Sequence, residues 1–444
     1  MFTDLAKELL SRLQRKDDEI DFRIKTGTEM HRKGFGRFVL TDAAGEKITK
    51  AEIKLKQATH EFLFGCNAFM LNQFPEKEQN RRYEEVFASL FNEAVIPFYW
   101  KDLEPEEGQY RYTSGSKPIY RRPPSDEVLE FCKKNNILPK GHPLCWHLWT
   151  PEWLAETTPE LMRQLDKRFA GLAERYGKDI FLWDCVNEAQ TRNPTLREDR
   201  GNTVPPFSDD HVDEVFRLAE RYFPLATLLY NDDRRWWIYA GEYTPVYLLV
   251  RALQSRGRRV GGLGLQYHMF SDLLQGEHKS FMDPRTLYAV LDQYGKLNIP
   301  VNFSEVSVIS RRDLGDGDAF QEQVVEKLYR LWFSHPAVNG ITWWNLVDGT
   351  GAGAPLGSED GENSLRAGLI NYDFSPKPAF KVLEQLIKRE WHTETTVAYA
   401  EGEANQFHGF YGEYDAEIKT NGGTFHKRLK LSNRGRNLFR IKLG

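Results

Sequence analysis

The chain has 444 residues and a formal net charge of −4, from 60 basic and 64 acidic side chains, which excludes the basic footprint of a general nucleic-acid binder. No apolar run reaches the roughly 18 residues a membrane-spanning helix needs. Cys66, Cys132, Cys145 and Cys185 form no CxxC pair or close set, so neither a zinc cage nor a disulfide framework is expected, and no metal or cofactor is assigned. Aromatic residues make up 13%, a surplus that suits stacking on sugar rings as well as filling a core.

The opening MFTDLAKELLSRLQRKDDEIDF has no continuous apolar core and no small-residue cleavage site. It reads as an amphipathic helix over 1–22 and not as a signal peptide, so a cytoplasmic location is expected, with secretion the alternative if a leader was removed. Residues 23–60 alternate apolar and polar in FRIKT, GRFVLTDAAGEKIT and AEIKLKQATH, the period of antiparallel β-strands, with DAAGEK as a turn. Over 61–390 short apolar runs alternate with amphipathic stretches. The runs are HEFLFGCN, AVIPFYW, ILPKGHPLCW, IFLWDCVNE, TLLYND, GLGLQYH, PVNFSEVS and NGITWWNL. The stretches between them include SDEVLEFCKKNN, PELMRQLDKRFAGLAERYG and FQEQVVEKLYRLWFS. Eight β-then-α units predict an α/β fold, a (β/α)8 TIM barrel. A doubly wound sheet is disfavoured because FGCNAFMLNQF after the first strand carries no GxGxxG. Residues 391–444 return to β character, with NGG as a turn, and are expected to complete a small β-sandwich with 23–60.

In such a barrel chemistry sits at the C-terminal ends of the strands. Those ends carry His147, Asn187 and Glu188, Asn231 and Asp232, Gln266 and His268, Glu305, and Trp344 with Asn345. Glu188 or Glu305 alone is as consistent with a helix cap or an Arg partner. Two carboxylates inside a ring of amide, imidazole and indole call for more, since a buried carboxylate without partners costs several kcal/mol. Glycosidic cleavage uses such a pair: one acid protonates the leaving oxygen, and the other attacks the anomeric carbon or positions water. The acid needs its pKa raised by apolar surroundings or by the other charge, and Trp183, Trp343 and Trp344 are candidates for the apolar part.

WDCVNEA (183–189) resembles the acid/base signature of glycoside hydrolase family 10, whose typical members are endo-β-1,4-xylanases. Further matches follow in that family's order: FGCNA (64–68), EPEEGQY (104–110), GHPLCWHLWTPEW (141–153), RYG (175–177), YND (230–232), GLGLQYH (262–268), SEVSV (304–308), ITWWNLVDG (341–349) and AGLINYDFSPKPAF (367–380). The resemblance implies a retaining double displacement with Glu188 as acid/base and Glu305 as nucleophile, about 5–5.5 Å apart. It places Asn187 on the sugar 2-hydroxyl and His147, Gln266, His268 and Trp344 around the same sugar, with Trp146 just beneath. Asp184 and Asn231 match supporting positions, and Cys66, Cys145 and Cys185 are expected to pack within strands. A carbohydrate, a xylo-oligosaccharide or related glycan, is the implied partner, with no nucleic acid and no membrane.

The departures fall on the sugar-binding side. Where the family carries ENxMKW this chain reads VIPFYW, so Val95, Ile96 and Tyr99 replace three hydroxyl-binding side chains. A hydrogen bond from a charged group contributes about 1.5–3 kcal/mol, so this loss is not conservative. HSQ becomes His147-Leu148-Trp149, NDYN becomes Asn231-Asp232-Asp233-Arg234, and TELD becomes Ser304-Glu305-Val306-Ser307. GTGAGAPLG stands where an aromatic residue often follows WGVTD. An altered glycone pocket is expected, narrowed by Tyr99, Trp149 and Trp236/Trp237. Arg121 and Arg122, in the long loop 109–126, are candidates for meeting a carboxylate-bearing substituent. Tyr411, Tyr414 and Phe407 are candidate sugar platforms on the sandwich. The alternatives are a transglycosylase, an exo-acting β-glycosidase on another or decorated sugar, or a non-catalytic sugar-binding barrel; the last would be expected to have lost Glu188 or Glu305.

Overall fold

Strands buried on both faces of a parallel sheet read as short, nearly continuous apolar runs. All eight runs of the middle zone form such strands. In the computed structural model, which describes residues 1–191, 198–199, 202–233, 236–239, 243–269 and 280–444, they are β1 (Leu63–Asn67), β2 (Glu93–Pro97), β3 (Leu138–His142, resumed at Cys145–Trp146) and β4 (Leu182–Asn187), then β5 (Thr227–Asp232), β6 (Gly262–His268), β7 (Val301–Ser307) and β8 (Val338–Trp343). Neighbours pair in parallel all the way round; β4 joins β5 and β8 returns to β1, so the sheet closes into an eight-stranded barrel. Arg234 lies outside the described residues.

The surrounding helices follow from their sequences. Thr158–Tyr176 begins with proline in its first turn and buries Leu161, Leu165, Phe169 and Leu172, one face of a 3.6-residue repeat. Ser125–Asn135 closes on Asn136 in the left-handed region (φ 53°), whose N–H returns to the Cys132 carbonyl. All four cysteines are buried free thiols.

The terminal segments build two sheets over a second apolar core containing Phe38, Leu40, Ile53, Leu55, Phe407, Tyr414 and Ile418. In one sheet Lys33–Thr41 lies between Gln406–Phe410 and Leu438–Lys442. In the other, Lys50–His60 lies between Glu394–Ala400 and Gly412–Thr420, which turns at NGG into Gly423–Leu431. The DAAGEK turn forms, with Asp42 accepting from the N–H groups of Ala44 and Glu46 at 2.9 Å each. It carries the chain from one sheet to the other and does not close a hairpin. Phe407 and Tyr414 therefore face the interior of this layer, and Tyr411 packs half-buried against it, which removes the first two as sugar platforms.

One expected strand is a helix. FRIKT belongs to Asp18–Arg32, capped by Asp17, with acids in its first turn and His31 and Arg32 in its last. Five alternating residues also fit little more than one helical turn, and the tertiary contacts decide. At Gly27 a Cβ would lie 2.4 Å from the Ser334 carbonyl oxygen, so the glycine lets this helix approach Gly317–Ser334. Arg32 then anchors it to the barrel floor, donating through Nη2 to the carbonyls of His335 and Val338 at 2.6 Å. Burial lowers the pKa of Arg32 to about 10.

A second glycine brings two site-bearing strands together. At Gly141 in β3 a Cβ would meet the Trp183 ring of β4 at 2.1 Å, and that indole is fully buried against Phe98 and Phe223. Gly141→Ala is therefore expected to cost about 1–3 kcal/mol by overpacking, read as a lower urea midpoint, and to displace the neighbours His142 and Asp184.

Candidate active site

The strand register delivers the polar side chains to one mouth. Asn231 of β5 sits opposite Asn187 of β4, and Gln266 of β6 opposite Glu305 of β7. Glu188 follows β4 with φ 52°, and its N–H donates to the Asn231 carbonyl at 2.8 Å. A left-handed backbone at a non-glycine residue costs about 1–3 kcal/mol, and here it accompanies a Glu188 carboxyl set against Gln266 and Asn187. Glu188 Oε1 accepts from Gln266 Nε2 at 3.1 Å and from Asn187 Nδ2 at 3.3 Å. Glu305 Oε1 accepts from Asn231 Nδ2 at 2.9 Å, and its Oε2 lies 3.3 Å from His268 Nε2. Asn231 Nδ2 also donates to Asn187 Oδ1 at 2.8 Å, while the Ser304 hydroxyl donates to Asn231 Oδ1. The two carboxyls are thus joined through two amides, Glu188–Asn187–Asn231–Glu305.

Their environments differ. Burial, then the charges of Asp233, Glu305 and Asp232, push the Glu188 carboxyl well above the usual carboxylate range, against the hydrogen bond from Gln266. The neutral form of Glu188 is thereby favoured. Glu305 is contacted on one oxygen by the Asn231 amide N–H and on the other by His268 Nε2.

Behind Glu305 runs a chain of buried charges. His142, the last residue of β3, places Nδ1 at 2.8 Å from Asp184 Oδ2 and Nε2 at 3.9 Å from Glu305 Oε1. Because an ionised carboxylate only accepts, the His142 proton facing Asp184 is on Nδ1. Lys140 Nζ lies 3.0 Å from the same Asp184 oxygen. Burial acts to raise the Asp184 pKa, but Lys140 and then His142 hold it below the ordinary value. Burial likewise acts to lower Lys140, and Asp184 and Glu93 carry it above its usual value. Burial takes Glu93 itself up to about 7, opposed by Lys140.

The aromatic side of the mouth is a separate apolar cluster of Phe69, Val95, Tyr99 and Trp344, with Trp146 and Trp149 packed on it. Tyr99 and Trp344 stand edge-on to His142 at 5.5 and 5.7 Å, and Trp344 is 6.1 Å from His268. Trp146 and Trp149 lie parallel, with centroids 5.8 Å apart. His268 turns its other nitrogen to the Ser307 hydroxyl at 2.9 Å.

Glu188, Glu305, Asn187, Asn231, Gln266, His268, Trp344, Tyr99, Trp146 and Trp149 therefore meet at one mouth, with Asp184 behind them. Other expectations are corrected. The imidazole near Glu305 on the β3 side belongs to His142; the strand is interrupted after it, and His147 lies five residues further on, buried. Strand alternation sends Ile96 into the main core while Val95 joins the mouth cluster. Trp183 and Trp343 are fully buried, donating to the carbonyls of Ile180 and Ala367, so Trp344 alone of the three reaches the site. Trp236 and Trp237 pack against Phe303, Tyr267 and Phe281 in the core and do not narrow the pocket. Phe69, on the loop after β1, was not signalled by any polar or motif feature. Among the described residues no group of His, Cys, Asp and Glu is arranged to hold a metal, and no helix is long and apolar enough to cross a membrane.

The sequence pattern of glycosyl hydrolase family 10 matches residues 55–386. Endo-1,4-beta-xylanase 2 of Arabidopsis thaliana is 26% identical over 383 residues, 84% of this chain and 31% of that protein. Endo-1,4-beta-xylanase B of Cellvibrio japonicus (strain Ueda107) is 28% identical over 286 residues, 63% of this chain and 41% of that protein. The chain thus spans well under half the length of these curated relatives. Xylanase 10B from Thermotoga petrophila RKU-1, solved with xylobiose, shares the fold at a TM-score of 0.57 and 21% identity, over 74% of this chain and 95% of that one.

Asp184→Asn leaves Lys140 as a buried cation without its partner. It is expected to cost about 3–5 kcal/mol, measured by chemical denaturation at neutral pH.

Proposed function

The chain belongs to glycosyl hydrolase family 10, and on that premise we propose that it hydrolyses β-glycosidic bonds of xylan-type or related oligosaccharides by double displacement. The observation that carries this reading is the unequal carboxyl pair: Glu188, driven toward its protonated form, and Glu305, hydrogen-bonded by Asn231 and His268, joined through Asn187 and Asn231.

In the first step Glu305 attacks the anomeric carbon as Glu188 gives its proton to the departing oxygen, leaving a glycosyl ester on Glu305 and a Glu188 carboxylate. In the second, Glu188 takes a proton from water, the water oxygen displaces Glu305, and Glu188 is protonated again. Asn187 is assigned to the 2-hydroxyl of the reacting sugar. Gln266 orients Glu188, and His268 and His142 flank Glu305. Trp146, Trp149 and Trp344 supply faces for sugar rings. The xylobiose bound by the Thermotoga petrophila enzyme supports a β-1,4-xylosyl substrate class. The apolar wall of Phe69, Val95 and Tyr99 supports a glycone specificity different from that of an ordinary endo-xylanase.

Two measurements test this. Glu305→Ala should lower turnover of xylan, xylo-oligosaccharides or aryl glycosides by about four orders of magnitude or more; Glu305-independent cleavage of the whole panel would contradict the reading. Asp233→Asn removes a charge that raises the Glu188 pKa. Because the protonated acid is needed, the alkaline limb of the kcat/KM profile should move to lower pH. A limb that stays or moves upward would contradict the acid role.

A further inference from the structure

The long loop 109–126 brings arginines to the wall that has lost its hydroxyl-binding side chains. Arg122 lays its guanidinium over the Tyr99 ring at 4.0 Å and lies 5.5 Å from Phe69. Its Nε donates to Asp102 Oδ2 at 2.6 Å and its Nη1 to the Arg121 carbonyl at 3.0 Å. Among the described residues Nη2 has no protein acceptor, and the side chain keeps 12% exposure. The geometry is held from behind: Arg111 donates to the carbonyls of Asp102 and Arg122 at 2.8 and 3.0 Å and to that of Lys117 at 2.7 Å. Arg121 is buried, bonded through Nη1 to Asn345 Oδ1 at 2.6 Å and to the Thr350 carbonyl, while its Nε has no acceptor. Asn345 in turn donates to Glu362 Oε1 at 2.6 Å. Of the three guanidinium groups Arg122 alone pairs with a carboxylate, Asp102, while Arg111 and Arg121 are held by carbonyls and an amide.

We propose that the glycone side of this site takes a carboxylate-bearing sugar, a uronosyl unit, and that Arg122 is the residue that reads its carboxylate. The inference rests on the glycoside hydrolase reading and names the substrate class of that site. A guanidinium held over an aromatic ring, with its outer nitrogen unused, presents fixed donors to a planar anion and suits a carboxylate better than a hydroxyl. Glu305, Asp232 and Asp233 disfavour an anionic sugar at this mouth, so a cation on the glycone wall is needed to admit one. Phe69 and Val95 are nearly fully buried and, with Tyr99, add no charged group to this wall, which leaves the arginine to set selectivity.

The test separates binding from catalysis. Calorimetric titration of the catalytically silent Glu305→Ala protein compares a β-linked oligosaccharide ending in a non-reducing glucuronosyl unit with its glucosyl and xylosyl counterparts. The uronosyl probe should bind about tenfold or more tightly than the neutral ones. That preference should vanish in Glu305→Ala/Arg122→Gln and be partly retained with Arg122→Lys, which keeps the charge and loses the fork. Arg122→Lys also serves as the second variant if the glutamine form does not fold. With Glu305 intact, the uronosyl-to-glucosyl ratio of kcat/KM should fall by a similar factor in Arg122→Gln. Equal binding of the three probes, or a preference that survives Arg122→Gln, would overturn the assignment. A uronosyl preference without Glu305-dependent cleavage of any glycoside would instead overturn the hydrolase reading and leave the carboxylate site standing. Glu305-dependent cleavage without the preference does the reverse.

Discussion

The active-site side of this barrel depends on one buried electrostatic chain, Lys140–Asp184–His142–Glu305, spanning β3, β4 and β7. Lys140 and Asp184 are essentially inaccessible to water; each is held charged chiefly by the other, with Glu93 assisting Lys140 and His142 assisting Asp184. Asp184 fixes the protonation of His142 on the nitrogen facing it, and His142 then stands beside Glu305. Gly141 next to His142 and Trp183 next to Asp184 set how closely the two strands approach. Packing and electrostatics are therefore set by adjacent residues of the same two strands.

Over this base the amide bridge Asn187–Asn231 gives the carboxyl pair its asymmetry. Asn231 hydrogen-bonds Glu305 directly and reaches Glu188 only through Asn187. Glu188, lifted by its left-handed backbone into a site crowded by Asp233 and Asp232, is driven toward the neutral acid. Two carboxyls of the same type thus sit in different surroundings, the asymmetry on which the proposed division into an acid and a nucleophile rests.

Much of this was legible in the sequence because parallel barrel strands are buried on both faces and appear as short apolar runs whose polar ends converge. Glu188, Glu305, Asn187, Asn231, Gln266 and His268 all come from such ends. The failures have a common cause, in that sequence gives a residue's position along a strand but not where the strand stops or which way a side chain turns. Ile96 and Val95 are neighbours with opposite faces. Trp236 and Trp237 are aromatic and near the site in sequence, and both are consumed by the core. Residues 23–32 alternate over too short a span to distinguish strand from helix, and the close approach at Gly27 to Ser334 lies more than 300 positions away in the chain. Phe69 and the arginines of loop 109–126 become a wall only when β1, β2 and that loop are brought together.

The most direct test is trapping of a covalent intermediate. The protein is incubated with an activated 2-deoxy-2-fluoro glycoside of a sugar it turns over, and the modified peptide is mapped by mass spectrometry. The mechanism predicts one glycosyl unit per chain, on Glu305, absent from Glu305→Ala. Turnover with no adduct, or an adduct on another carboxylate, would contradict nucleophilic attack by Glu305.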